Sequence, residues 1–255
     1  MKYIESFSLA GCKAVVTGSS RGIGRAIALG LAQQGADIVI NYATNAQAAE
    51  CVAQEAGSYG VHAFTVQADM HSATAPRELF EQSIAKLGRI DILVLNVSTQ
   101  FRRLWQQVTT EEFDIQMCVN LRSTMELMQL ALPGMIDRHW GRVLTIGSIQ
   151  QLKPHPQMLV YAASKSAMVN MGQNLAKQVA PLGVTINNLA PGVIYTDRNS
   201  AVLENAEYRQ QVLDGIPCHF FAEPADCVGA ALLLCSDAAR FITGVDLLVD
   251  GGAHL

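Results

Sequence analysis

Short runs of Val, Ile and Leu recur along this chain without the polar alternation of a half-exposed strand, and helical periodicity follows nearly every one. Strands of that kind are covered on both faces, and intervening helices force parallel crossovers. The runs lie at residues 13–17, 38–42, 61–67, 90–96, 143–146, 185–189 and 246–249. Apolar spacing and Pro or Gly punctuation predict helices over 23–34, 46–56, 76–87, 159–179 and 224–235. Thr109 and Glu112 read as a capping box opening a long helix to about residue 132. The prediction is an α/β fold, a doubly wound parallel sheet with helices on both faces, in a single domain over 1–255. The polar stretch 196–217 matches no strand and suits a lid or substrate segment.

Composition narrows the function. Half of the 255 residues are hydrophobic and 16% charged, which excludes a disordered chain. A net charge of -4 lacks the basic excess of a phosphate-backbone binder, so no nucleic acid partner is expected. The six cysteines lie far apart without a C-x-x-C pair, and the histidines show no ligand spacing, so the expectation is no metal and reduced thiols. Residues 1–6 carry an acid where a signal peptide needs apolar residues, and the apolar stretch 230–235 is far short of a membrane span. A cytoplasmic protein with no membrane association is expected.

Between the first strand and first helix stands Thr17-Gly18-Ser19-Ser20-Arg21-Gly22-Ile23-Gly24. Glycines there let a backbone turn tightly while a pyrophosphate meets the helix N-terminus, so Gly18, Ser20, Arg21, Gly22, Ile23 and Gly24 are candidate cofactor contacts. An NAD-preferring site needs an acid at the end of the second strand. The only nearby acid, Asp37, stands at its beginning, about 13–17 Å from the crevice. The strand ends neutrally at Asn41 and Tyr42, the latter a candidate contact, and Arg21 could pair a 2′-phosphate. NADP is favoured, with NAD possible.

Tyr161 and Lys165, four residues apart on a predicted helix, project from one face toward one ligand. A phenol is a reluctant acid–base group near neutrality, and a neighbouring ammonium favours its phenolate form. Ser148 lies thirteen residues before Tyr161, just past a buried strand.

The T-G-x-x-x-G-x-G turn, Ser148, Tyr161-x-x-x-Lys165 and the Asp250-Gly251-Gly252 ending together resemble the short-chain dehydrogenase/reductase family, with its Rossmann-type fold, over residues 9–252. The resemblance implies that Tyr161 exchanges a proton with the substrate oxygen, Ser148 hydrogen-bonds that oxygen, and Lys165 holds the nicotinamide ribose. Asn120 would hold a water linking Lys165 to solvent. Asp69 would accept from the adenine amino group, a helix cap near Ser72 being the alternative. Asn96 matches the second Asn of the family's N-N-A-G segment, but Leu95 and Ser98 replace its first Asn and its Gly. Pro191, Gly192, Ile194 and Thr196 match the P-G-x-x-x-T segment beside the nicotinamide. A homotetramer is likewise implied.

For the small-molecule substrate, Gln100, Arg102, Gln150 and His155 supply donors and positive charge that suit a polar or anionic compound. That favours a sugar-acid or keto-acid substrate, as in gluconate and sugar dehydrogenases of the family. The alternative is a 3-oxoacyl-carrier-protein reductase, with Arg102, Arg103 and Arg122 docking an acidic carrier. A catalytically inactive cofactor sensor is the reading from another class; retention of both Tyr161 and Lys165 argues against it.

Overall fold

The computed structural model describes residues 3–255. Met1 and Lys2, part of the segment weighed as a targeting signal, lie outside it. The strands are β1 (Lys13–Val16), β2 (Asp37–Tyr42), β3 (Ala63–Gln67), β4 (Ile92–Leu95), β5 (Gly141–Ile146), β6 (Val184–Pro191) and β7 (Asp246–Val249). All pair in parallel, in the order β3-β2-β1-β4-β5-β6-β7. The helices are α1 (Gly22–Gln33), α2 (Ala46–Gly57), α3 (Ala75–Leu87), α4 (Thr110–Met117), α5 (Ser123–Asp137), α6 (Leu159–Val179), α7 (Asp197–Leu203), α8 (Ala206–Asp214) and α9 (Val228–Cys235).

Two cores follow from the two-residue period of the strands. Ala14 and Val16 of β1 face one side, with Ile38, Ile40, α1, α2 and α9; Val15 faces the other, with Val39, α3, α5 and α6. Strand order reverses between β1 and β4, and a crevice opens there at the strands' C-terminal ends.

Three expectations need correction. The predicted long helix is interrupted: α4 and α5 are joined by a π-helical segment, Cys118–Arg122. Its start is half a capping box. Thr109 accepts the Glu112 N–H at 3.1 Å, but the Glu112 carboxylate reaches Arg103 rather than returning to the N-cap. The strand predicted over 185–189 extends to Val184–Pro191, and its buried asparagines are paired: Asn187 donates to the Ile242 carbonyl and accepts the Val245 N–H.

Burial pushes the Cys227 and Cys235 thiols up to about 12. Among the described residues no cluster of His, Cys, Asp or Glu is placed to hold a metal ion, and no helix is long and apolar enough to cross a membrane.

Candidate active site

A cleft of about 1050 Å³ runs along the strand ends, and the glycine turn forms one wall. Gly18 and Gly22 have φ of +60° and +57°, which a side chain would strain. Gly24 serves close approach instead: a Cβ would lie 2.5 Å from the Gly18 carbonyl oxygen and 2.6 Å from Asn96. Gly18, Ser20, Arg21 and Ile23 line the cleft, whereas Gly22 and Gly24 stand behind it. Arg21 is the N-cap of α1 but makes no side-chain cap, so the first-turn N–H groups of α1 are left without a side-chain acceptor at the cleft. That backbone fits a dinucleotide pyrophosphate.

Buried polar residues that sequence reasoning overlooked hold this turn. Asn41 Oδ1 accepts the Gly18 N–H at 2.9 Å, and its Nδ2 donates to the Val66 and Ala68 carbonyls at 3.2 and 3.1 Å, tying the turn to β2 and β3. Ser19 Oγ accepts the Asn41 N–H and donates to the Val16 carbonyl. Thr17 Oγ1 accepts the N–H groups of Asn96 and Val97. The available signal was a run of small polar residues at apolar strand ends. Asn96 lines the cleft as expected, but its amide is committed to the Thr17 and Gly18 carbonyls, at 3.0 and 3.1 Å. It shapes the glycine turn.

Tyr42 and Asp69 border the same end of the cleft. Asp69 caps neither α3 nor any other helix; its Oδ1 accepts the His71 N–H at 3.1 Å and meets His71 Nδ1 at 2.7 Å, while α3 starts later, after Thr74. Burial alone would push its carboxyl up, but the His71 bonds outweigh it and hold it below the usual range. Asp37 is far from this wall, bonded to Lys13 and to the His62 N–H at the opposite end of β2.

Past β5, Ser148 caps the 3-10 turn Ile149–Gln151, and its Oγ accepts the Gln150 N–H at 3.2 Å. Among the described residues no acceptor takes the hydroxyl proton, which leaves it to be donated into the cleft. Tyr161, in the first turn of α6, lines the same cleft. Lys165 is 1% exposed, donates to the Ile146 carbonyl at 2.7 Å and holds its ammonium 5.7 Å from the Tyr161 ring centroid. The helical i, i+4 spacing thus places a buried cation against the phenol.

Asn120 lies behind the cleft. It is fully buried in the π-helical segment and does not line the cleft. Its side chain accepts the Thr99 N–H at 2.8 Å and donates to the Thr99 carbonyl and Ser164 Oγ, both at 3.0 Å. Ser164 in turn donates to the Tyr161 carbonyl at 2.7 Å. The side chain is therefore tied to the first turn of α6 and to the loop after β4.

The segment after β6 also borders the cleft, with Pro191, Gly192, Ile194 and Thr196 lining it. Gly192 admits the close approach of Asp250, whose Cα would lie 2.8 Å from a Cβ there. Gln100, Arg102, Gln150 and His155 all line the cleft. Burial first, and the Arg102 charge second, hold the His155 imidazole below its usual 6.5. Its Nδ1 accepts the Gln157 N–H at 3.2 Å, so the neutral ring presents Nε2–H. Gln150 keeps a buried side-chain oxygen without a hydrogen-bond partner. Of the three arginines weighed for carrier docking, Arg103 is paired with Glu112 at 2.8 Å and Arg122 lies 3.7 Å from Glu126.

The family model for enoyl-(acyl carrier protein) reductase matches residues 18–254. A 3-oxoacyl-[acyl-carrier-protein] reductase of Haemophilus influenzae is 37% identical over 243 residues, covering 95% of this chain and 98% of that one. Among solved structures, a 3-oxoacyl (acyl-carrier-protein) reductase from Agrobacterium tumefaciens with NADP bound superposes with a TM-score of 0.93 at 38% identity, covering 99% of this chain and 97% of that one. A gluconate 5-dehydrogenase from Burkholderia cenocepacia, in complex with NADP and tartrate, does so with a TM-score of 0.92 at 32% identity, covering 98% of each chain.

Proposed function

Because this chain belongs to the short-chain dehydrogenase/reductase family of oxidoreductases, we propose that it interconverts a secondary alcohol and a ketone on a polar, anionic small molecule, with NADP(H) as cofactor. The observation that supports the chemistry is that Tyr161 and Ser148 both line the cleft, with the Lys165 ammonium 5.7 Å from the Tyr161 ring centroid. The nicotinamide, when bound, takes up or gives the hydride. In the oxidising direction the alcohol O–H proton passes to the Tyr161 oxygen as the C–H pair leaves as hydride; in reduction the same phenol returns the proton. Ser148 donates a hydrogen bond to the reacting oxygen and stabilises its developing charge. Lys165, buried behind the cleft and donating to the Ile146 carbonyl, places its positive charge beside the Tyr161 ring and would hold the nicotinamide ribose when the cofactor is bound.

NADP is supported by the neutral end of β2, by Arg21 on the cleft wall and by the NADP-bound neighbours. A sugar-acid or keto-acid substrate is supported by Arg102, which has no protein carboxylate against it among the described residues and shares the cleft with Gln100, Gln150 and His155. The neighbour solved with tartrate, itself a hydroxy acid, points the same way. A 3-oxoacyl-carrier-protein reductase is the second reading, favoured by the relatives' names, although Arg103 is already committed to Glu112. A homotetramer is the proposed assembly, to be checked by light scattering.

Substituting Tyr161→Phe tests the chemistry. Turnover should fall by about 100-fold or more, with NADPH affinity by calorimetry within about twofold of wild type; an enzyme keeping most of its activity would refute the role of Tyr161. A panel of sugar acids, keto acids and 3-oxoacyl thioesters then decides between the two substrate readings.

A further inference from the structure

Ser148 is the first residue beyond the β5 ladder. Gly147 still donates to the Leu189 carbonyl of β6 at 2.7 Å, but the Ser148 N–H has no strand partner and turns to a side chain, Gln151 Oε1, at 3.4 Å. Gln151 then donates from Nε2 to Asp246 Oδ2 at the start of β7. Asp246 Oδ1 accepts from Asn188 Nδ2 at 2.6 Å, and Asn188 Oδ1 accepts the Thr145 hydroxyl at 2.7 Å. Thr145, Asn188 and Asp246 are register neighbours on β5, β6 and β7, so the chain of bonds is one row across three strands. Thr145 and Asn188 are buried, and Gly147 lies hard against the row: a Cβ there would meet Asn188 Nδ2 at 2.4 Å and Gln151 Oε1 at 2.8 Å.

We propose that Asp246, acting through Gln151, is a positioning residue for Ser148, fixing where its hydroxyl meets the substrate oxygen. This rests on the reading that Ser148 holds the reacting oxygen. A donor aimed at developing charge works only when held to within a few tenths of an ångström, and the turn after Ser148 has no ladder to hold it. The row supplies that hold, and its polarity is fixed. Both carboxylate oxygens of Asp246 accept, one from Asn188 and one from Gln151, so the Gln151 amide is oriented with Nε2 toward Asp246 and Oε1 toward the Ser148 N–H. The aim of Ser148 is thereby set by a residue nearly one hundred positions away that need not touch the substrate.

The fixed polarity gives the test. Asp246→Asn confronts the Gln151 amide with a second donor, and Gln151→Glu confronts Asp246 with a second acceptor and a like charge. The double variant D246N/Q151E reverses the bond, with the new amide donating to the new carboxylate and the Ser148 N–H still accepted. Each single variant should lower kcat about 10- to 100-fold while KM and the NADPH dissociation constant stay within about threefold, the range expected for a displaced oxyanion donor. The double variant should recover to within about threefold of wild type. Gln151→Met, which keeps the volume without either bond, should match the single variants and provides a reading should a charged variant not fold. Singles that retain wild-type kcat, or a double variant no better than its worse parent, would overturn the proposal. Ser148→Ala separates the two layers: if it too leaves kcat intact, the role of Ser148 itself has failed.

Discussion

Arg21 has a backbone duty and a side chain left over. It is the N-cap of α1, yet its guanidinium is 72% exposed at the cleft and lies 3.8 Å from an equally open Asp197. Exposed pairs of this kind contribute at most about 1 kcal/mol, whereas hydrogen bonds to a charged phosphate contribute about 1.5–3 kcal/mol. Asp197 therefore does not hold Arg21 away from a 2′-phosphate. Arg21→Ala should weaken NADPH binding about 10- to 100-fold and NADH less than about threefold, as fluorescence titration would show; equal losses would remove Arg21 from the cofactor assignment. His155 offers a second check. Its depressed pKa means that the folded protein is favoured above pH 6.5 and loses that contribution as pH falls through the folded-state value, because the partly buried ring resists protonation beside Arg102. Arg102→Met removes one of the two causes, so the His155 ring, followed by NMR, should titrate closer to 6.5. An unchanged midpoint would mean that Arg102 does not face the ring. Both side chains could be picked out in the sequence as cleft residues. What stayed hidden was whether each was already engaged: nothing in Arg102-Arg103 says that the second arginine is bonded to Glu112 and the first is not, because pairing depends on a fold-level neighbour nine residues on.

Elements were legible wherever burial leaves a periodic imprint. The run after β5 gave α6 at its true limits, Leu159–Val179, and the continuous apolar strands implied cover on both faces. The π-helical segment was not legible, since one added residue per turn shifts hydrogen-bond register without changing composition. That segment places the Asn120 side chain against Thr99 and Ser164, so it joins the loop after β4 to the first turn of α6. Asn120→Ala would take a partner from the half-buried Thr99 N–H and carbonyl and from the buried Ser164 hydroxyl, and each partner lost where water cannot replace it costs about 1–3 kcal/mol. A denaturant midpoint lowered by the equivalent of about 2–4 kcal/mol is expected, with kcat reduced because Tyr161 loses its support through Ser164. Asn120→Asp keeps the acceptor for the Thr99 N–H and should recover part of the stability. If Asn120→Ala unfolds at the wild-type midpoint, the junction is not what secures this end of α6.

At the scale of the molecule, the segment proposed as a lid is not an extension of either main core. α7 and α8 bring Leu203, Tyr208 and Val212 over the cleft, and a small separate cluster of Ile149, Ile216 and Ala253, flanked by Val193, Val212 and Phe221, anchors them. The cluster draws together the turn carrying Ser148, the lid and the chain after Asp250. The Cys218 N–H donates to the Gly251 carbonyl at 3.1 Å, and Gly251, at φ +63°, could carry no Cβ without meeting Ile216 at 2.9 Å. Lys153 bonds the Ala253 carbonyl from the other side. Truncating a core isoleucine to alanine costs about 2–5 kcal/mol. Where that loss falls depends on how the element is coupled. In either main core it would lower the global midpoint; in a satellite cluster it should open the lid locally while the sheet remains intact. Ile216→Ala is accordingly expected to speed hydrogen exchange across 197–217 and raise KM for substrate and cofactor several-fold, with the global midpoint shifting by less than about 1 kcal/mol. Should the midpoint instead fall by the full core value with exchange in 197–217 unchanged, the segment is a fixed wall of the domain and closure plays no part in its function.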